Sequence, residues 1–252
     1  MIKPVAYLKK LEGKSNAHLI RFNDNREYVV KYFQPGFEKS LCNEWIGYCL
    51  GRYIGLPIPY AKIVQIPQEF SSQIPELKEM STTQHQFASL YVSGCMDAHK
   101  VSSVPEIINY QSLASIIVFD YWLCNGDRTR KNILLCAEQE SVYRLWAIDH
   151  AEILGGYNWV ESELENLSLD LMKSATHQLM ANFIKDEEDF RKQVEIIQTI
   201  PILLMEEIVT LIPDDWMVTK EEKKAIVTTL LKRRDKVLPR MMKLFLNKTY
   251  KA

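Results

Sequence analysis

The chain has 252 residues, which is long enough for one large domain or for two lobes that share a cleft. Its 47% hydrophobic and 25% charged residues are ordinary for a folded protein, and its net charge of −1 gives no global field that would recruit nucleic acid or an anionic membrane. The longest apolar stretch, Leu113 to Cys124, is interrupted by Ser115 and Asp120 and is shorter than the roughly 20 residues that span a bilayer. We therefore expect neither nucleic acid nor a membrane as a partner.

The cysteines are odd in number, scattered and without a C-x-x-C pair: Cys42, Cys49, Cys95, Cys124 and Cys136. This pattern favours buried thiols in a reducing compartment over disulfides or a zinc site. The N-terminal segment MIKPVAYLKKLEGKS has no apolar core of the signal-peptide kind. We expect a cytoplasmic protein.

The first third of the chain is predicted to be a small mixed α/β unit. AHLIRF and EYVVKYF are strand-like runs, and the turn-rich NDNR between them predicts a hairpin. Alternation along the second run places Lys31 on the same face as Val29 and Phe33. Further strands are predicted at YAKIVQI and QFASLYV.

A helix is expected from about Phe37 to Tyr53, followed by the helix-ending residues of GLPIP. Its inward face is predicted from residues at helical spacing: Leu41, Trp45, Tyr48 and Tyr53. Residues 67–83 are polar and are interpreted as a surface loop, and SGCMD as a turn.

From about Val104 the pattern becomes helical. EIINYQSLASIIVFDYWL is apolar nearly all round, which is typical of a buried helix. Two short strands follow, and beyond Trp159 the pattern is helical to the end. The last helix, from about Lys220, is basic, and we interpret its charges as a solvated face. The alternative is a docking surface for an acidic regulatory partner.

Three polar residues lie beside the two short strands. In GDRTRKNILL, Asp127 precedes Asn132 by five positions, and RLWAID ends an apolar run with Asp149. This arrangement suits phosphoryl transfer: Asp127 would orient or deprotonate a hydroxyl, while Asn132 and Asp149 would hold Mg²⁺ on the phosphates of ATP. Taken singly, Asp127 is equally typical of a turn or a helix cap.

Lys31 is the candidate that would reach the α- and β-phosphates of ATP, steadied by a carboxylate from the following helix. Glu44 is the expected partner because it shares a helix face with inward-pointing residues, and Glu38 is the alternative. A solvent-facing lysine on an edge strand would explain Lys31 equally well if it stood alone.

The loop that covers the phosphates has no recognisable motif, since G-x-G-x-x-G is absent. Gly13, Ser15 and Asn16, just before the first strand run, are the candidates for presenting backbone N–H groups to phosphate. For Arg128 we favour a structural pairing with a neighbouring acid over a role toward phosphate.

At these residues the chain resembles the HipA-like kinases of the smaller single-chain bacterial type. Four segments carry the resemblance: EYVVKYF, NEWIGYCLGRYIGLPIP, FDYWLCNGDRTRKNILL and LWAIDHAEIL. The resemblance runs from about residue 13 to Leu154 and continues more loosely through IPDDW and LLKRRDKVLPRM. The Asp-Arg-x-x-x-Asn pattern is also similar to that of phosphoinositide kinases, which share the same broad fold.

The resemblance implies an α+β, two-lobed protein-kinase-like fold and Mg²⁺- and ATP-dependent phosphorylation, usually of a Ser or Thr hydroxyl on a protein. It implies Lys31 at the phosphates, Asp127 as the catalytic acid–base residue, and Asn132 and Asp149 at the metal. It also implies that residues 89–94 form a hinge whose backbone meets adenine, with these candidates: Ser89, Leu90, Tyr91 and Val92.

Two departures from the family pattern are visible. Ala151 stands where the family tends to have Gly, and we expect the protein to be without the extra N-terminal subdomain of the larger persistence-toxin kinases. We therefore do not expect it to share their target or their antitoxin.

We expect residues 1–92 to form a β-rich nucleotide-binding lobe, and residues 93–252 to form a helical lobe that carries the catalytic and metal-binding motifs. Three functions fit: a protein Ser/Thr kinase, which leads; a kinase of a small molecule or lipid head group; and a nucleotide-binding scaffold without transfer activity. The intact set of five residues counts against the scaffold: Lys31, Glu44, Asp127, Asn132 and Asp149.

Overall fold

The computed structural model describes residues 2–78 and 83–250 and shows an α+β protein with a β-sheet N-terminal region and a helical C-terminal region. The N-terminal sheet has strand order β1-β2-β3-β5-β4, with antiparallel neighbours. Its strands are β1 (Pro4–Lys10), β2 (His18–Phe22), β3 (Glu27–Lys31), β4 (Ala61–Gln65) and β5 (His85–Leu90).

Strand β3 divides its side chains between two cores. Tyr28 and Val30 are fully buried in a small cluster with Ile20 and Phe22 of the neighbouring strand. Lys31 points to the opposite face, as the alternation predicted, because successive side chains of a strand alternate. That face is covered by the first long helix, so the lysine is buried as well.

The second sheet has strand order β6-β8-β9-β7. Its strands are β6 (Cys95–Asp97), β7 (Glu106–Ile107), β8 (Ile133–Gln139) and β9 (Val142–Ala147). Strands β8 and β9 form an antiparallel hairpin in which Ile133 pairs with Ala147. The start of β8 and the end of β9 therefore lie side by side, and they bring Asn132 close to Asp149.

The helices are, in chain order, α1 (Ser40–Tyr53), α2 (Gln68–Ser71), α3 (Pro75–Lys78), α4 (Ser112–Leu123), α5 (Glu161–Glu165), α6 (Ala175–Ala181), α7 (Glu188–Gln198), α8 (Ile202–Thr210), α9 (Lys220–Lys232) and α10 (Leu238–Tyr250). Helix α4 is buried from Leu113 to Leu123, and helices α6, α7 and α10 pack on it. Within the described residues, no helix is both long enough and apolar enough to cross a membrane.

Several element boundaries differ from those predicted. Strand β1 was not expected at all, and SGCMD contributes β6 instead of only a turn. Helix α4 begins at Ser112, because β7 and a turn occupy the start of the predicted helix. Helix α1 begins at Ser40, and its Tyr53 is 55% exposed rather than inward, because the helix end extends beyond the core.

The predicted surface loop at residues 67–83 contains α2 and α3. Leu77 of α3 is buried in the core of the N-terminal sheet, and Phe70 and Ile74 pack against the same core, so apolar contacts hold this part of the segment on the sheet. Residues 79–82 of the predicted loop lie outside the described residues.

The expectation that the cysteines are all free thiols is wrong for one pair. Cys95 and Cys136 form a disulfide across β6 and β8, where they stand directly opposite each other. They are 41 residues apart, so no local spacing signals the pairing. Cys42, Cys49 and Cys124 are free.

The charges of the basic C-terminal helix were interpreted as a solvated face, but some of them are buried. Its middle is a π-helical segment, Arg233–Val237, between α9 and α10, and both Arg233 and Arg234 are buried. Arg233 donates hydrogen bonds to the carbonyls of Tyr121 and Trp122, so its guanidinium satisfies backbone acceptors at the end of α4. Arg234 donates to the Ile200 carbonyl and to the Asp235 carboxylate, so both buried charges have partners within the protein.

Candidate active site

Lys31 lies between two carboxylates at the junction of the two regions. Its Nζ donates a hydrogen bond to Glu44 Oε1 of α1 and another to Asp149 Oδ1, 2.9 Å away, just after β9. Lys31 and Glu44 are buried, whereas 31% of the Asp149 side chain is exposed. The ion-pair cluster is therefore closed on the side of α1 and open to solvent at Asp149.

The three charges are mutually dependent. Burial alone would lower the pKa of Lys31, but Asp149 and Glu44 outweigh burial and raise that pKa above its ordinary value. Burial would likewise raise the pKa of Asp149, but Lys31 overcomes this and holds the pKa of Asp149 below its ordinary value. Burial raises the pKa of Glu44 against the opposing effect of Lys31. Asp149, which faces the opening, is thus the more firmly ionised carboxylate.

Asp127 and Asn132 face each other across a short turn. Asn132 Nδ2 donates to the Asp127 backbone carbonyl at 2.6 Å and to Asp127 Oδ2 at 3.0 Å. Asp127 is half-buried and Asn132 is buried. Since these bonds use the amide nitrogen, the amide oxygen of Asn132 is not engaged by them. Ile148, which precedes Asp149, donates its N–H to the Asn132 carbonyl at 3.0 Å.

The guanidinium of Arg128 connects the Asp127–Asn132 turn, Ile148 and helix α4. Its Nη1 donates to the carbonyls of Asn132 (3.1 Å) and Ile148 (2.7 Å), and its Nε and Nη2 donate to both oxygens of Asp120 on α4. His177 Nε2 lies 3.0 Å from Asp120 Oδ2. Arg128 thus contacts the backbone on both sides of the Asn132–Asp149 pair, which is the structural role favoured for it from the sequence.

The segment after Asp149 is held by α1. Asn43, fully buried and adjacent to Glu44, donates through Nδ2 to the carbonyls of Ala151, Ile153 and Gly156. Ala151 has an ordinary negative φ, so the departure from Gly strains nothing at this position. The sequence analysis missed Asn43 because its partners are backbone carbonyls more than 100 positions away.

The predicted phosphate-loop residues lie on the turn between β1 and β2. This turn is closed by a hydrogen bond from Leu11 N–H to the Ala17 carbonyl. Gly13 (φ +136°) and Asn16 (φ +46°) give it left-handed backbone, and the Ser15 carbonyl accepts a bond from Gln34 Nε2.

Two further charged residues were not predicted from the sequence: Glu152 and Lys14. Burial and, next, Asp127 raise the pKa of Glu152, while Lys14 opposes the rise. Glu152 therefore experiences the fields of Asp127 and Asp149 and, with opposite sign, of Lys14 on the β1–β2 turn. A charged Lys beside two turn-favouring residues, KSN, was the available sequence signal for this loop.

The predicted hinge residues lie at the end of β5 and directly after it. Ser89 and Leu90 belong to β5, and Tyr91 and Val92 follow it. Leu90 N–H donates to the Tyr60 carbonyl and Tyr91 N–H to the Glu27 carbonyl, so both groups are engaged within the protein. Lys31 pairs with Glu44. The carboxylate of Glu38, the alternative partner, instead accepts a hydrogen bond from the Gly36 N–H.

The family model for HipA-like kinases matches residues 6–246, and the chain belongs to this family. No curated protein matches it significantly. Among solved structures, the proinflammatory kinase CtkA of Helicobacter pylori is similar over 99% of this chain and 96% of its own, with 14% identity and a TM-score of 0.63. That likeness shows a protein-kinase-like fold.

Two more distant structures are similar over most of the chain. HipA of Shewanella oneidensis MR-1, solved with HipB and operator DNA, has 9% identity and a TM-score of 0.48, covering 96% of this chain and 74% of its own. The Rio2 kinase of Chaetomium thermophilum, solved with ADP, Mg²⁺ and phosphoaspartate, has 14% identity and a TM-score of 0.43, covering 98% and 72%. Family and fold together place this chain in the phosphotransferase class.

Proposed function

We propose that this protein is an ATP-dependent kinase that uses Mg²⁺ and transfers the γ-phosphate to a Ser or Thr hydroxyl of a protein. The observation that carries the proposal is the pairing of Lys31 with Glu44 and Asp149, next to the Asp127–Asn132 pair, which is joined to it by the hydrogen bond from Ile148 N–H to the Asn132 carbonyl. Phosphoryl transfer needs positioning and charge stabilisation more than covalent chemistry, and this set supplies both.

The donor set fits Mg²⁺. Asn132 offers an amide oxygen and Asp149 a firmly ionised carboxylate, which are the hard ligands that this cation prefers. The described residues contain no cluster of three or more His, Cys, Asp or Glu side chains that would hold a metal alone. This agrees with Mg²⁺, which is usually bound by one or two side chains together with substrate phosphates. The metal would neutralise charge that develops on the phosphates.

The remaining roles follow from position. Lys31 would bind the α- and β-phosphates, and the β1–β2 turn with Ser15 and Asn16 would cover them. Because the N–H groups of Leu90 and Tyr91 are already engaged, Val92 is the proposed adenine contact. Asp127 would hold the acceptor hydroxyl and receive its proton.

The proposal is tested by incubating the purified protein with γ-labelled ATP and Mg²⁺, together with a protein mixture from a bacterial lysate. Phosphoserine or phosphothreonine formed by the parent and not by Asp127→Ala is the expected result. Label that appears only on small molecules or lipid would replace the protein acceptor with the second kind of kinase. Tight binding of Mg·ATP without transfer to any acceptor would favour the scaffold.

A further inference from the structure

Asn43 occupies a position that neither the family assignment nor the proposed transfer chemistry explains. It is completely buried on α1, one residue before Glu44. Its Nδ2 lies 2.7 Å, 3.1 Å and 2.9 Å from the carbonyl oxygens of Ala151, Ile153 and Gly156. Its Oδ1 accepts a hydrogen bond from Trp159 Nε1 at 2.9 Å.

The orientation of this amide is fixed by chemistry. An indole N–H is only a donor, so the atom that faces Trp159 must be the oxygen of Asn43. The amino group must then face the three carbonyls, which are acceptors only. One side chain thus hydrogen-bonds backbone carbonyls along most of the segment between Asp149 and α5.

Other contacts hold the same segment against α1. A Cβ placed on Gly47 would lie 2.5 Å from His150 Cβ, so the helix backbone touches the residue after Asp149. At the far end, Lys39 N–H donates to the Tyr157 carbonyl, and the Tyr157 ring stacks on Phe37 with centroids 4.4 Å apart.

Helix α1 is itself anchored on the C-terminal helices. Trp45 Nε1 donates to the Ile208 carbonyl of α8, and Lys39 Nζ forms a buried ion pair with Glu222 of α9 at 2.7 Å. The helix that carries Glu44 is therefore fixed on two sides. A swing of this helix away from Lys31 would break all of these contacts together.

The sequence of the segment adds an independent observation. In many protein kinases, phosphorylation of the segment after the metal-binding Asp controls whether the Lys–Glu pair forms. Between Asp149 and Glu161 this chain has no Ser or Thr, and Tyr157 is the only side chain with a hydroxyl. The ring of Tyr157 is packed on Phe37.

We propose that Asn43 is a positioning residue that fixes the segment after Asp149 to α1, so that Lys31, Glu44 and Asp149 are assembled in the unmodified protein without phosphorylation of that segment. The inference rests on the proposed function for its catalytic consequence. Its structural part, the attachment of the segment by one amide, stands independently of whether phosphate is transferred.

The test compares Asn43→Asp with the parent after phosphatase treatment, with intact mass confirming that neither carries phosphate. The substitution keeps the size of the side chain and the acceptor for Trp159, but it replaces the donor with an oxygen that repels three carbonyls. Asn109→Asp is the matched control. Asn109 also holds backbone through its side-chain amide, by hydrogen bonds to the N–H and the carbonyl of Leu145, and it lies away from the site. Trp159→Phe serves as a milder variant that removes one bond and keeps an aromatic ring.

Three readouts are expected to change in Asn43→Asp and not in Asn109→Asp. Backbone amides of residues 151–157 exchange with deuterium at least about tenfold faster. The Mg²⁺ concentration for half-maximal ATP binding rises severalfold, while ATP binding without Mg²⁺ changes less than about twofold. The turnover number falls by about 10- to 100-fold, the scale expected for misplaced catalytic groups. Trp159→Phe shows smaller changes in the same direction.

Unchanged exchange and Mg²⁺ dependence in folded Asn43→Asp would overturn the inference, and so would equal changes in Asn109→Asp. If Asn43→Asp does not fold, unchanged readouts in Trp159→Phe would overturn it as well. A parent that binds Mg·ATP only when phosphorylated would also contradict it. If the parent binds Mg·ATP and transfers nothing, the proposed function fails, while exchange and binding still decide the role of Asn43.

Discussion

At the scale of single residues, the cleft is defined by charges that depend on one another. A buried ammonium is costly unless it is paired, and Lys31 has two acidic partners within hydrogen-bonding distance. Asp127 differs from these residues because it pairs with an amide instead of a cation.

Asp127→Ala is expected to reduce phosphate transfer by about 10²- to 10⁴-fold, the usual contribution of a general acid–base residue. Binding of Mg·ATP should stay within about threefold of the parent, because Lys31, Asn132 and Asp149 are retained. Transfer rates and nucleotide titrations check this, with the exposed Asp170→Ala as a control. Transfer by Asp127→Ala at the parental rate would show that Asp127 has no catalytic role.

The residues at the cleft differ in how readily the sequence indicates them. The sequence indicates Lys31, Glu44, Asp127, Asn132 and Asp149 as candidates because strand alternation, helix periodicity and strand ends constrain where such side chains point. Asn43, Lys14 and Glu152 were not predicted, because Asn43 bonds to backbone more than 100 positions away and the charges of Lys14 and Glu152 meet only in the folded chain. Backbone acceptors carry no residue type, so no motif points to an Asn that binds three of them.

At the scale of elements, α4 supports the turn that carries Asp127 and Asn132 through one buried ionic network. Asp120 lies on α4 with its side chain fully buried, between Arg128 and His177. Burial would raise the pKa of Asp120, but Arg128 and His177 lower it well below the ordinary range. The network stabilises the fold while Asp120 is ionised.

Asp120→Asn is expected to lower the free energy of unfolding at pH 7 by about 3–5 kcal/mol, the usual cost of leaving a buried charge without its partner. Because the folded pKa of Asp120 is depressed, its contribution is complete above the unfolded pKa of about 4 and is lost as the pH falls further. Urea unfolding of parent and variant between pH 3 and 7 checks this. A difference in stability that does not shrink below pH 4 would contradict it.

Gly47→Ala tests the contact between α1 and His150. The added methyl is expected to displace the helix from the segment after Asp149 and to reduce both stability, by about 1–3 kcal/mol, and Mg²⁺-dependent ATP binding. Gly51→Ala is the control on the same helix, since its methyl meets the flexible end of Ile58 instead of the His150 stem. Equal effects of the two substitutions on Mg²⁺ dependence would contradict a special role for the Gly47 contact.

Most of the longer elements were predicted from the sequence, but the seven-residue strand β1 was missed, and so were the shortest strands. Helix α1 and strands β2 to β5 have clear periodicity, whereas β6 and β7 have three and two residues and exist because neighbouring strands pair with them. The two buried arginines after α9 show the same limit. Their charges predict solvent exposure, and burial is made favourable by partners that the sequence does not reveal: the Tyr121 and Trp122 carbonyls for Arg233, and the Ile200 carbonyl and the Asp235 carboxylate for Arg234.

At the scale of the whole molecule, the N-terminal sheet is connected to the helical region at points other than the chain connection after β5. His85, at the start of β5, accepts a bond at its carbonyl from Trp216 Nε1 and donates its N–H to Asp215 Oδ2. The segment IPDDW thus joins the two regions across about 130 positions of sequence. The two regions were predicted from the sequence. The contact between His85 and IPDDW was not, since neither partner belongs to a periodic pattern.

The most direct test of the cleft is a titration of ATP into the parent, Asp127→Ala and Asp149→Ala, each with and without Mg²⁺. Parent and Asp127→Ala are expected to bind ATP at least about tenfold more tightly with Mg²⁺ than without it. Asp149→Ala is expected to lose that enhancement, because Asp149 is the ionised carboxylate that faces the opening. Equal Mg²⁺ enhancement in all three proteins, or no ATP binding by the parent, would contradict the assignment of this cleft as a Mg·ATP site.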